Sequence, residues 1–332
     1  MSLALIRAEY KTILEGIAGI GKVHDYERWS VEWKKFLDQF KSADGKIKGW
    51  TVTREKSSER FTGGSTSERL HSMTLRGYHG LDDASASEKV FQDLVEEVCN
   101  TFRPKTTLNG RVDRAEAPLQ VDIIEHRLFG GVLCHYCELR QVAQETIGFT
   151  QNLPANVGGG LSAIRSEYKN ILLSMAPIKI GPGYFKFGDA ARFRDGVFVG
   201  GVYDYERWAA EWKKMLDIYK DPDSGKINGW TISRESSPEI FIPGCGSERR
   251  HAIVVRGYFG LEDDEASEKI FQDLIEVICN AFRPETNLRG RVDQVEAPLQ
   301  VDIVEPRMLG GVLCHYCELR QVAQETLTFT EQ

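Results

Sequence analysis

The residues best suited to chemistry are two cysteines that flank a histidine and a tyrosine in Cys134-His-Tyr-Cys137. This spacing is typical of redox disulfides and zinc sites, because paired thiolates are good nucleophiles and metal ligands. The surrounding residues alternate in polarity, which predicts a β-strand. Residues three positions apart on a strand point to opposite faces. We therefore expect the two cysteines to be structural, and the alternative is a metal- or thiol-dependent enzyme built on this strand.

The rest of the sequence offers no other catalytic pattern. No serine or cysteine lies in a nucleophile-elbow motif, and no phosphate-binding glycine motif occurs. The acidic pair Asp82-Asp83 lies at the N-terminus of a predicted helix, where exposed backbone amides favour carboxylates. These observations favour a protein that is not an enzyme and that uses no cofactor and no metal.

The Cys-His-Tyr-Cys strand belongs to a stretch that occurs twice, since 130–146 (GGVLCHYCELRQVAQET) is identical to 310–326. The duplication predicts two domains of the same fold. Repeat 1 covers 1–150, a Gly/Pro linker covers 151–160, and repeat 2 covers 161–332. Repeat 2 carries an insert at about 175–200 that repeat 1 lacks. The glycines and aromatic residues of the insert predict an extended loop or an added hairpin.

The periodicity within each repeat predicts the element order ααββαββ. Two helices come first, then two strands, a long helix and two more strands. We expect an α+β fold, with two tandem copies of an antiparallel sheet flanked by helices. In repeat 1 the predicted helices are 4–14, 26–40 and about 81–102, the first two strands are 48–54 and 69–78, and a polar loop covers 56–65.

Charge and composition exclude several classes of partner. The net charge of −7 argues against sequence-independent nucleic-acid binding, which needs a basic surface. Six of the seven cysteines fall at matched positions of the two repeats, which favours reduced thiols in a cytosolic protein over a secreted disulfide framework. No apolar run is long enough to span a bilayer, so we expect no membrane association.

Charged strand ends and the aromatic residues of the insert are the candidates for contacts between subunits. Arg76 and Arg256 lie late in predicted strands, beside glycine and tyrosine. An ion pair between subunits and an ordinary edge-strand arginine both fit this position. The candidate interface residues are Arg76, Arg256, Glu138, Arg140, Glu318, Arg320, Tyr184, Phe185 and Phe187.

Each repeat contains, in order, IRxEYKxIL, DYERWxxEWKKxL, GWTVTRE or GWTISRE, RGYHGLDD or RGYFGLED, and GGVLCHYCELRQVAQET. This order resembles small structural proteins of tailed bacteriophages, of the tail-terminator and head–tail joining (neck) type. The resemblance implies an α+β subunit of a virion ring at the head-proximal end of the tail, assembled in the host cytoplasm. It further implies tail-tube or sheath and head-side connector partners, and DNA that passes through the lumen without specific binding.

The duplication changes the subunit count that the resemblance implies. A ring with six positions would need three duplicated chains, which gives a pseudo-hexamer with heterologous contacts. A different expectation is a ligand-binding protein in which the two halves close on each other as a pseudo-dimer. That alternative predicts a compact monomer.

Overall fold

The computed structural model describes residues 3–28, 33–42, 45–63, 65–116, 118–129, 131–150, 160–180, 183–189, 191–194, 197–205, 217–222, 225–242, 246–261 and 266–327. Most of the predicted linker, 151–159, and part of the insert lie outside these ranges. The helices are α1 (Leu3–Glu15), α2 (Trp33–Phe40), α3 (Ser87–Phe102), α4 (Gly160–Ser174) and α5 (Ser267–Phe282). None of the helices in the described ranges is long and apolar enough to cross a membrane.

The fold is mixed α/β with a large mixed sheet of 16 strands. The strands that come from repeat 1 are β1 (Lys22–His24), β2 (Lys48–Gly63), β3 (Thr66–Gly80), β4 (Arg114–Ala115), β5 (Gln120–Phe129) and β6 (Val132–Gly148). Those that follow are β7 (Ile178–Ile180), β8 (Gly183–Gly188), β9 (Arg192–Arg194), β10 (Val197–Tyr203), β11 (Asn228–Ser236), β12 (Glu239–Ile242), β13 (Gly246–Gly260), β14 (Gln294–Val295), β15 (Gln300–Leu309) and β16 (Val312–Leu327).

The chain forms two compact units that exchange short segments relative to the sequence repeats. Unit 1 contains Met1–Ser57, Glu68–Ile147 and Glu262–Lys269. Unit 2 contains Ser58–Ser67, Gly148–Leu261 and Ile270–Gln332. The hairpin end of repeat 1 is therefore part of unit 2, and the residues that open α5 are part of unit 1.

The strand order in unit 1 is β4-β6-β3-β2, with β5 antiparallel to β6. β1 pairs with the start of β2 in parallel, so the prediction of a purely antiparallel sheet is wrong. The reason is that β1 and β2 are joined through α2, and a helical connection of this kind lets two strands run in the same direction.

Unit 2 has the strand order β15-β16-β13-β11-β10-β8-β7. Here β10 runs parallel to both β11 and β8. The insert supplies β7, β8, β9 and the first part of β10, so its described residues extend the sheet with a hairpin and further strands.

α1 and α3 cover one face of the sheet in unit 1, and their apolar residues share one core with the strands. Tyr10 of α1 stacks on Phe102 of α3, and both side chains are almost completely buried. Trp50 of β2 lies over Gly77 of β3, where an added Cβ would come within 2.8 Å of the indole. Glycine at this position lets the sheet accept the large ring.

Two predicted boundaries in repeat 1 are wrong. The predicted loop 56–65 is strand over 56–63, because β2 and β3 form one long hairpin. Its polar residues are satisfied on the strand: Ser67 donates a hydrogen bond to Glu59. The predicted helix start at Tyr26 is also wrong, since 25–28 is not helical. Asp25, just before Tyr26, accepts a hydrogen bond from Lys269 in unit 1.

Candidate functional site

The predicted interface residues of repeat 1 form a charged cluster on β3 and β6. Arg76 Nη2 lies 2.9 Å from Glu55 Oε1, and Arg76 Nε lies 3.5 Å from Glu138 Oε1. Arg140 Nε lies 3.3 Å from Asp122 Oδ2 and extends into solvent. The structure therefore brings Arg76, Glu138 and Arg140 together, and their ion pairs are formed within unit 1.

The electrostatics of this cluster favour full ionisation. Burial opposes the charge on Arg76, but the carboxylates of Glu27 and Glu138 outweigh burial and raise its pKa. Burial also opposes the charge on Glu138, but a hydrogen bond from Tyr136 and the charge of Arg76 outweigh it and lower its pKa. Both shifts move the pKa further from neutral, so neither Arg76 nor Glu138 is tuned to act as a general acid or base.

The matching residues of repeat 2 form the same cluster in unit 2. Arg256 Nε lies 3.4 Å from Glu318 Oε1, and Arg320 Nε lies 2.7 Å from Asp302 Oδ2. Arg307 lies over the ring of Tyr316, with its guanidinium carbon 3.7 Å from the ring centroid. Arg256, Glu318 and Arg320 are thus brought together as a second charged cluster.

The aromatic residues predicted from the insert lie elsewhere in unit 2, on β8. Phe185 and Phe187 are buried in the core, where Phe187 packs edge-on against Trp230. Tyr184, which alternates with them, is 49% exposed. Of these three residues, only Tyr184 presents its ring to solvent.

The thiols of the Cys-His-Tyr-Cys strand lie on opposite faces of β6, as expected. Cys137 belongs to the core formed with α1 and α3, whereas Cys134 packs in a separate cluster with Phe40 and Phe129. Burial raises the pKa of Cys134 to about 11 and that of Cys137 to about 12. Thiols with raised pKa values are poor nucleophiles at neutral pH. No cluster of three or more metal-ligating side chains occurs in the described ranges.

Sequence reasoning missed a hydrogen-bonded Ser–His–Glu relay that links three strands in unit 1. Ser57 Oγ lies 2.7 Å from His71 Nδ1, and His71 Nε2 lies 3.0 Å from Glu145 Oε1. This order of groups is that of a serine-hydrolase triad. Ser57 is only 4% exposed, so a substrate has no access to its hydroxyl. The relay satisfies buried polar groups within the sheet.

The same relay recurs in unit 2 with Ser237, His251 and Glu325, at 2.6 Å and 2.8 Å. No local motif in the sequence indicates either relay, because its members come from three segments far apart in the chain. The only signal is the identical spacing of serine, histidine and glutamate in the two repeats.

The two repeats differ most in what covers their matched surfaces. β15 lies between β16 and the end of β2 that belongs to unit 2. Its counterpart β5 pairs only with β6 among the described strands, so β5 is an edge. Val301 of β15 is 2% exposed, whereas the matching Val121 of β5 is 44% exposed. Ile124 of β5 is also exposed, whereas the matching Val304 is partly buried; Leu128 and the matching Met308 are both exposed.

The long helices show the same difference although their sequences nearly match. Gln272 and Glu276 of α5 are buried, whereas the matching Gln92 and Glu96 of α3 are exposed. Polar side chains are rarely buried without partners. This face of α5 is therefore covered within the fold, and the equivalent face of α3 is open.

We call the open face of α3 together with β5 the open surface. It contains an unpaired strand edge, exposed apolar side chains and exposed charges, which are the features of a surface that another protein covers. Comparison of the chain with protein-family models and with curated protein sequences gives no match.

Proposed function

We infer that the protein is a structural component of a virion, and that it forms a ring at the head-proximal end of a phage-type tail, as a tail terminator or neck joining protein. The observation that carries this proposal is the open surface, because its counterpart in unit 2 is covered by a segment of the chain. A surface whose counterpart in a near-identical sequence is covered is suited to association with another subunit.

The form of the open surface also favours assembly. A ten-residue edge strand with exposed valine, isoleucine and leucine is a site for pairing with another chain unless it is protected. β5 carries no proline, and its register against β6 is regular from Ile123 to Phe129, so this part of the strand keeps backbone groups that a further strand can pair with. The charges of Arg76 and Arg256 are paired with carboxylates of their own units, which suits a structural role.

The duplication sets the proposed stoichiometry. Each chain supplies two positions of a ring with six positions, so three chains make a pseudo-hexamer. The proposed neighbours are the tail-tube or sheath protein on one side and a head-side connector on the other. DNA would pass through the lumen without specific binding, in keeping with the net charge of −7.

Native mass spectrometry over a range of concentrations, followed by negative-stain imaging of the largest species, tests the proposal. We expect a species of about three times the chain mass of 37.5 kDa, imaged as an open ring. Six full-length chains in the ring would contradict the pseudo-hexamer. A monomer that stays compact at all concentrations and binds a small ligand would favour the pseudo-dimeric ligand-binding protein instead.

A further inference from the structure

The segment that covers β15 shows which part of a second copy would cover β5. Ser58–Ser67, the hairpin end of repeat 1, belongs to unit 2. There Glu59 accepts hydrogen bonds from Arg283 Nε at 2.6 Å and Nη2 at 3.1 Å, and its carbonyl oxygen accepts one from Gln300. Phe61 packs against the core of unit 2. Three contacts therefore hold this segment in unit 2: the ion pair of Glu59, the hydrogen bond to its backbone and the packing of Phe61.

Both halves of this contact recur in the chain, and both recurring halves are exposed. The counterpart of Glu59 in repeat 2 is Glu239, whose side chain is 37% exposed compared with 2% for Glu59. The counterparts of Arg283 and Gln300 in repeat 1 are Arg103 and Gln120, and both are exposed. Among the described residues, Arg103 forms no ion pair and β12, which carries Glu239, pairs only with β13.

We propose that β12 of a second copy of the chain docks on the open surface beside β5, with Glu239 of that copy bound to Arg103. This inference names the partner segment for the assembly proposed above. It rests on that proposal only in requiring that the chain associates with itself. A heterologous contact of this kind uses two different surfaces, so it can repeat from chain to chain and close into a ring.

A second set of contacts supports the same docking arrangement. In unit 1, Lys269 Nζ lies 2.6 Å from Asp25 Oδ2, and Arg7 Nη1 lies 3.7 Å from Glu268 Oε2. The segment Glu262–Lys269, which supplies the lysine and the glutamate, comes from repeat 2. Short segments of both repeats are thus exchanged between the units.

The counterparts of this second set contact other groups of their own chain: Glu88 accepts a hydrogen bond from Gln92, and Asp204 accepts one from Ser166. Glu88 and Lys89 of α3 are exposed, at the edge of the open surface. Their expected partners are Arg165 and Asp204 of the second copy, which match Arg7 and Asp25. Arg165 Nε is buried and has no hydrogen-bond acceptor in the described part of the chain. A carboxylate from another copy would place a negative charge beside this guanidinium, as Glu268 does beside Arg7.

A charge exchange tests the proposed pair. Arg103 is exposed, whereas Glu239 accepts hydrogen bonds from Ser247 and Arg249 of its own chain, so the thermal unfolding of each variant is measured together with its association. We expect Arg103→Glu and Glu239→Arg each to weaken self-association by at least about 30-fold, because each variant places like charges together at the interface. The double variant R103E/E239R restores the opposite charges and should recover most of the association. The matched control is Glu15→Arg, an exposed charge reversal on α1 outside the open surface.

Sedimentation equilibrium and native mass spectrometry at matched concentrations provide the readout. Recovery in the double variant, with Glu15→Arg equal to the wild type, would support the proposed contact. Single variants that associate as the wild type does would overturn it, and a ring seen in those variants would leave the proposed function intact. A wild-type chain that remains monomeric up to the solubility limit would overturn both the contact and self-assembly.

Discussion

The duplicated sequence provides an internal control for the energy of one buried ion pair. Arg283 and Glu59 have side chains that are only 6% and 2% exposed, and they form two charged hydrogen bonds. Arg283→Ala removes one partner and leaves the carboxylate of Glu59 buried. We expect this change to lower the free energy of unfolding by about 3–5 kcal/mol, the usual cost of breaking a buried pair.

The matching substitution in repeat 1 is Arg103→Ala, which removes an exposed side chain. In dilute protein, where copies do not associate, its effect on stability should stay within about 0.5 kcal/mol. Differential scanning calorimetry or urea unfolding separates the two outcomes, since a loss of about 3–5 kcal/mol corresponds to roughly 6–20 °C in the midpoint for a unit of this size. Equal effects of Arg283→Ala and Arg103→Ala would refute the conclusion that the same contact is filled in one repeat and open in the other.

Three further predictions concern the interior. Gly77→Ala places a methyl group 2.8 Å from the indole of Trp50 and should destabilise unit 1 by about 1–3 kcal/mol in thermal unfolding, whereas a neutral result would mean that the ring moves at no cost. Burial opposes the charge of Glu145, but the hydrogen bond from its histidine partner outweighs burial and lowers the pKa of the carboxyl, so its contribution to stability is present above the unfolded-state pKa and is lost as the pH falls below it. Urea midpoints measured from pH 7 to pH 3 should therefore fall less steeply in Glu145→Gln than in the wild type, and parallel curves would contradict this account. Alkylation of the native protein should modify the half-buried Cys99 well before Cys137, as peptide mass spectrometry would show, and early labelling of Cys137 would contradict its burial.

The periodicity of apolar side chains predicted many of the helices and strands correctly. The helix predicted over 4–14 is observed as Leu3–Glu15, and Cys134 and Cys137 fall on opposite strand faces. These features depend on residues close together in the sequence, where side-chain periodicity alone determines which face is buried. The prediction of a loop over 56–65 was wrong because the polar side chains of Ser57 and Glu59 bind residues outside this segment. The composition of the segment gives no information about such partners.

The candidate site was harder to predict for the same physical reason. The sequence pointed to Arg76 and Glu138, whose partners are the acids of neighbouring strands. It could not identify the open surface, because Val121 and Val301 lie in the same local sequence, LQVDI, and differ in exposure only through what packs on them. Identical local sequences therefore cannot show which of the two segments is covered, because the covering strand comes from elsewhere in the chain.

The exchange of segments between the units has a consequence for synthesis of the chain. Glu59 and Arg283 are separated by 224 positions, so the hairpin end leaves the ribosome long before its partner exists. At about 5–20 residues per second, the segment waits roughly 10–45 s for Arg283 to be made. During that interval a nascent chain exposes an unpaired strand end to completed chains nearby. On a crowded polysome, capture by the wrong molecule would compete with correct folding, so expression level should influence the yield of correctly folded protein.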